Sequence, residues 1–246
     1  MNINAKNISK SFEGKVVLEN LDLEVESDSF CSILGPTGVG KTTLLRILAG
    51  IEKPDSGDVF YDGVNMMKVP VQKRPNAFVY QQFVNYPSMT IYENIASPLR
   101  VSKKYLSKTE INDRVQKTAK LLGIHEVLHQ LPEEVSGGQQ QRCAIARALT
   151  KEAKYIFLDE PLSNLDYKLR EELRNELKNI FNEREGIVVS ATPDPIDTLT
   201  MATHVGFLHE HRILQYGEVK DVYENPSNLE VGSWFSYPKM NILPCE

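Results

Sequence analysis

Glycines, a lysine and a hydroxyl side chain stand at fixed offsets in Gly35-Pro36-Thr37-Gly38-Val39-Gly40-Lys41-Thr42, with Thr43 following. Glycines at this spacing let backbone N–H groups turn inward on phosphate oxygens, and a helix beginning at Lys41 adds its positive end. Lys41 then reaches the β and γ phosphates, while Thr42 offers its hydroxyl to Mg²⁺. The loop by itself implies a bound nucleotide.

Two more strings carry chemistry. Asp159 and Glu160 close the apolar run Tyr155 to Leu158. A carboxylate at the end of a buried strand is costly unless something positive meets it, and a Mg²⁺ held jointly with Thr42 does so. Glu160 is then the candidate general base, polarising water in line with the γ phosphate. Ser136-Gly137-Gly138-Gln139 opens a helix, with Ser136 and Gln139 at capping-box spacing. One reading is a plain helix start. The other is that two glycines waste helix propensity because a phosphate must approach the backbone there.

Strands and helices must alternate to hold these residues. Leu21, Leu23 and Val25 alternate with Asp22 and Glu24, the period of a half-buried strand, so the N-terminal part is β-rich. Phe30 to Leu34 then reads as a strand, the glycine loop follows, and Lys41 to Ala49 reads as a helix stopped by Gly50. Ser107 and Glu110 cap a helix that Gly123 ends. A second helix runs from about Gly137 to Leu149, and a third carries the stripe Leu165, Leu169, Leu173, Leu177 and Ile180. Tyr155 to Leu158 and Ile187 to Ser190 read as buried parallel strands. The result is an α/β fold with a helical insertion from about 86 to 150.

Composition narrows the class. With 246 residues, 41% apolar and 25% charged, the chain is an ordinary globular protein, long enough to need no disulfide or metal for its core. Cys31, Cys143 and Cys245 show no paired spacing, which fits a reducing compartment and small buried or tail residues. No apolar run reaches a membrane span, so the reading is a cytosolic chain able to dock on a membrane protein. Acidic residues outnumber basic ones 33 to 28 without a basic cluster, which argues against nucleic acid.

Taken in order, the phosphate loop, the Ser136-Gly137-Gly138-Gln139 run and Asp159-Glu160 resemble the ATP-binding cassette (ABC) transporter ATPases over nearly the whole chain, with that run as the family's signature. The resemblance implies a RecA-like parallel-sheet core with phosphate-loop nucleotide binding, an antiparallel N-terminal β subdomain and an inserted helical subdomain. It implies ATP and Mg²⁺ as cofactors and Gln81 as the glutamine that touches Mg²⁺ and water. Phe12 falls at the aromatic under adenine. Ser163-Asn164-Leu165-Asp166 is similar to the loop that crosses between two cassettes, each of which supplies half of each ATP site. Gln81 to Pro87, Thr90 to Ile95, Val222 to Pro226 and Pro238 to Pro244 resemble import-type cassettes serving sugars and glycerol phosphate. That type implies permease subunits, a second cassette, an indirectly linked solute-binding protein, and a peripheral place on the cytoplasmic face of the cell membrane. In it, residues 1–232 form the cassette and 233–246 a linker toward a regulatory β domain.

One position departs from the pattern. The family's switch histidine falls on Pro193, in Thr192-Pro193-Asp194. Proline has no side-chain donor and no backbone N–H. Two readings stay open: a slow ATPase in which Glu160 carries the step with Thr192 assisting, or a mainly ATP-binding cassette that completes the active pocket of a different subunit. The cassette of an exporter is a third.

Overall fold

The computed structural model describes residues 1–101, 106–163, 165–182, 184–236 and 240–241. The elements are β1 (Ile3–Phe12), β2 (Lys15–Val25), β3 (Phe30–Leu34), α1 (Lys41–Ala49), β4 (Ser56–Tyr61), β5 (Val64–Asn65) and β6 (Asn76–Val79), then α2 (Ile91–Arg100), α3 (Lys108–Leu121), α4 (Gly137–Thr150) and β7 (Tyr155–Asp159). There follow α5 (Tyr167–Asn182), β8 (Ile187–Thr192), α6 (Pro195–Met201), β9 (His204–His209), β10 (Arg212–Glu218), α7 (Val219–Glu224) and α8 (Leu229–Phe235). They fall into two compact units, residues 1–74 with 186–246 and residues 75–185.

In the first unit, β1 and β2 form a hairpin whose turn, Glu13-Gly14, has φ +51 and +80. Two positive φ values match the twist of the strands they join. Ile3, Ala5 and Ile8 alternate inward and meet Val25, Leu23 and Leu21 across the pair. The antiparallel sheet runs β2-β1-β4-β5. A second layer sets β3 parallel to both β8 and β9, with β10 antiparallel to β9. All of β3 and β8 is buried, which is why both are mainly apolar, with only Ser32, Ser190 and Thr192 polar, rather than alternating.

β8 continues two residues past the expected end at Ser190, because Ala191 and Thr192 pair with Ile33 and Leu34. Leu34, Phe207, Val222, Val231 and Phe235 share one apolar cluster. α8 therefore covers the first residues expected to be linker, Ser233 to Phe235. Residues 237–239 and 242–246 of that linker, Cys245 included, lie outside the described residues.

The second unit pairs β6 with β7 in parallel, Ala77 opposite Ile156 and Val79 opposite Leu158. Three of its helices open with reciprocal capping boxes: Thr90 with Glu93, Ser107 with Glu110, and Ser136 with Gln139. Each satisfies orphan N–H groups at the helix start. Arg142, 9% exposed, holds the end of α3 to α4 and α5, its Nη1 donating to the Leu122 carbonyl at 2.8 Å and standing 3.3 Å from Glu176. Burial pushes the Glu176 carboxyl up in spite of that partner.

Leu173, Leu177 and Ile180 form the buried stripe expected of α5. Leu165 lies before the helix, because Asp166 accepts from the Leu169 N–H at 3.0 Å and starts the helix after it. Cys31 and Cys143 are buried, and burial pushes both thiols up to about 12. Among the described residues no helix is long and apolar enough to cross a membrane.

Candidate functional site

The glycine loop leaves β3 at Leu34 and enters α1 at Lys41. Its path dictates its glycines. A Cβ on Gly35 would stand 2.2 Å from the Leu208 carbonyl oxygen, a backbone atom of β9. Gly38 has open space around it but φ +83, and Gly40 combines φ +112 with a Cβ position 2.9 Å from Val17. The Val39 N–H closes a turn on the Pro36 carbonyl at 3.3 Å. No side chain caps α1 at Gly40. A helix start arranged in this way is a standing site for an anion.

Lys41 is 3% exposed, and its Nζ donates to the carbonyls of Gly35 at 3.0 Å and Pro36 at 2.9 Å. An ammonium that deep is costly unless donors and acceptors are matched to it, and the loop curls its own carbonyls onto it. Thr42 and Thr43 follow, both half-buried. Phe12 ends β1 at the hairpin tip, 45% exposed, with Lys10 Nζ 4.9 Å from its ring centre. Its ring is therefore a presented face rather than core.

In the first unit also, Pro193 follows β8 directly. Thr192 is buried, its hydroxyl bonded to Asp197 at 3.0 Å and accepting the Asp194 N–H at 3.1 Å. The Thr192 hydroxyl, expected to assist Glu160, thus also closes the turn into α6.

The second unit holds the other half of the residues. Asp159, 1% exposed, ends β7. Glu160 comes next at φ +45, a left-handed conformation rare outside glycine. The structure brings Gln81 to it: Gln81 Nε2 donates to Glu160 Oε2 at 3.1 Å. Ser163 stabilises the turn, its hydroxyl and N–H donating to the Glu160 carbonyl at 3.0 and 3.3 Å. Asp166 accepts at the start of α5, and Asn164 lies outside the described residues.

The signature run opens α4, Ser136 accepting from the Gln139 N–H at 3.3 Å and Gln139 Oε1 from the Ser136 N–H at 3.0 Å. Gly138 packs closely on α5, where a Cβ would meet the end of the Leu169 side chain at 2.1 Å. Gly137 is roomier, with the Phe83 ring 3.4 Å from where a Cβ would stand.

Sequence reasoning missed Asn94 and Gln141. Asn94, wholly buried, accepts from the Tyr86 N–H and donates to the carbonyls of Tyr86, Met89 and Thr90, fixing the loop before α2. Gln141, 1% exposed, donates to the Pro161 carbonyl at 2.5 Å. A signal existed for Gln141, because it shares a helix face with Ile145 and Ala148, and a polar residue on an apolar face must have a partner.

The donors fit Mg-ATP. A buried lysine inside a glycine loop suits a polyphosphate, and a threonine hydroxyl such as that of Thr42 in the first unit and a carboxylate such as that of Asp159 in the second are each hard oxygen donors of the kind that Mg²⁺ takes. Replacing Gly35 with alanine should lower the melting temperature by several degrees, since displacing the Leu208 backbone costs about 1–3 kcal/mol. Gly38→Ala, with open space, should cost about 1 kcal/mol. Thermal unfolding checks the order, and equal losses would contradict it.

A family model described as ABC transporter matches residues 18–163. The chain is 44% identical over 245 residues to the spermidine/putrescine import ATP-binding protein PotA of Thermotoga maritima, covering 99% of this chain and 65% of that protein. It is 41% identical to the glucose import ATP-binding protein GlcV of Saccharolobus solfataricus, covering 93% and 66%, and 40% identical to the oligosaccharides import ATP-binding protein MsmX of Bacillus subtilis, covering 92% and 61%. The chain thus spans less than two thirds of the length of these relatives. The solved structure of the ATP-binding cassette MJ0796, dimeric and bound to ADP and Pi after hydrolysis, matches 88% of this chain and 98% of its own with a TM-score of 0.80 at 28% identity. The chain therefore belongs to the ABC transporter family and has the α/β fold of its ATP-binding cassettes.

Proposed function

We propose that this chain is the nucleotide-binding subunit of an ABC importer, an ATPase that binds Mg-ATP, pairs with a second cassette and couples hydrolysis to solute passage through permease subunits. The observation that carries the reading is the buried Lys41 ammonium folded into a glycine loop at the end of a fully buried strand. Relatives named as import ATP-binding proteins support the direction of transport. That reading places the chain peripherally on the cytoplasmic face of the membrane, with a solute-binding protein as an indirect partner.

The roles follow from each residue's chemistry. Gly35 to Thr43 hold the phosphates by backbone N–H groups and the Lys41 charge, and Phe12 stacks on adenine. Thr42, Asp159 and Gln81 are the residues that would hold Mg²⁺, and the ion would supply neutralisation of developing phosphate charge. Glu160 accepts the proton of the attacking water at its carboxylate, and Gln81 orients that carboxylate by its hydrogen bond. Ser136, Gly137, Gly138 and Gln139 present the positive start of α4 to a nucleotide held by the paired cassette, with Asp166 near the crossing between the two.

For the solute, the sugar and glycerol-phosphate motifs of the sequence stand beside a polyamine reading supported by PotA, the 44% relative. Stimulation of turnover in the assembled transporter by a carbohydrate or by spermidine separates them. A second functional reading is carried by Pro193: a mainly binding cassette that completes another subunit's site. Phosphate release measured on the chain alone, then with a histidine-bearing cassette, decides between the two. Turnover by the chain alone at the mixture's rate rejects the second reading, and turnover only in the mixture supports it.

A further inference from the structure

One side chain of the second unit joins the helix that opens at Ser136 to the turn that carries Glu160. Gln141 lies on the buried face of α4, and its Nε2 reaches the Pro161 carbonyl at 2.5 Å. Its Oε1 is buried with no hydrogen-bond partner among the described residues. Leaving an acceptor bare in the interior is unfavourable, and the donated bond to Pro161 is what this amide contributes in return.

The turn it reaches is strained. Glu160 holds φ +45 immediately before a proline, whose ring pushes the preceding residue toward extended backbone. Such a conformation persists only where its surroundings over-determine it. Ser163 holds it from inside the turn, through two donors on the Glu160 carbonyl. Gln141 holds it from outside, at the next carbonyl along the chain.

We propose that Gln141 is a positioning residue for Glu160, tying α4 to the Pro161 carbonyl so that a displacement of α4 is passed to the Glu160 carboxylate. Gln81 holds that carboxylate by its own hydrogen bond. This rests on the reading above, in which Glu160 is the base for the nucleotide on its own loop and the start of α4 contacts the nucleotide of the paired cassette. The base serving one nucleotide then senses occupancy at the other through a single hydrogen bond.

Gln141→Met keeps the volume and removes the donor. In hydrogen–deuterium exchange on the full chain, the Ser163 amide should exchange about five- to tenfold faster than in the native protein, the factor expected for one net hydrogen bond. Amides of β7 and α4 should stay within twofold. Turnover should show kcat lowered about tenfold with KM within twofold, the pattern of a misplaced base and not of lost binding. Exchange at Ser163 and kcat both within twofold of native would overturn the proposal, as would faster exchange spread evenly over residues 75–185, the mark of a purely structural role. Gln141→Leu answers the same question should the methionine chain not fold. If the native chain binds no Mg-ATP the parent reading fails, and the exchange comparison still judges the link.

Discussion

Glu160→Gln should lower ATP turnover by at least about 100-fold while Mg-ATP still binds, because it removes the proton acceptor and little else. Glutamine has the same shape and keeps an amide oxygen that can accept the Gln81 hydrogen bond now made at 3.1 Å. The left-handed turn and its two Ser163 bonds do not involve the side-chain oxygens. Placement is thus preserved and basicity lost, so the effect belongs to kcat and not to affinity. Phosphate release on native and variant chains reads it, with nucleotide binding measured in parallel. Turnover within tenfold of native would assign the base elsewhere.

On the proposed reading in which Pro193 stands at the switch position, exchanging it for histidine should raise turnover, by a factor of up to about 100 if one preorganised donor is the only defect. The surroundings allow the exchange. Thr192 and Asp194 close the turn around position 193 by their own bonds, and Asp194 caps α6 by accepting the Ile196 N–H at 2.8 Å. Histidine can adopt the φ of proline, and the loss of restriction in the unfolded chain costs about 0.4–1 kcal/mol of stability. Glu160→Gln in the Pro193→His chain should return turnover to the floor, which separates the donor from the base. A gain below twofold from Pro193→His would show that the missing donor does not limit the rate.

What the sequence made legible was chemistry written by residue type at a fixed offset. Lys41 and the glycines around it, the capping pairs at Ser107 and Ser136, and the buried runs of β3 and β7 all have local causes, and the structure has them where the sequence implied. What stayed hidden had non-local causes. The extension of β8 through Thr192 depends on pairing with Leu34, 158 positions earlier in the chain. Gly138 packs on the tip of Leu169, on a helix that no spacing rule connects to it. Glu160 was legible as an acid and illegible as a strained turn, since φ +45 in a glutamate follows from the bonds around it and from nothing in its own side chain. Gln141 stood in plain sight between two other polar positions, and its bond to the Pro161 carbonyl, 20 positions on, has no mark in its own neighbourhood.

The central claim, that the loop around Lys41 grips the phosphates of Mg-ATP, is tested most directly by titration calorimetry on the intact chain and on Lys41→Ala. The account predicts saturable binding of one Mg-ATP per chain, weakened about 10- to 100-fold in the variant, the value of a charged hydrogen-bond donor lost from a phosphate site. Folded native chain that gives no binding heat at any Mg-ATP concentration, or a variant that binds as tightly as the native chain, would contradict it.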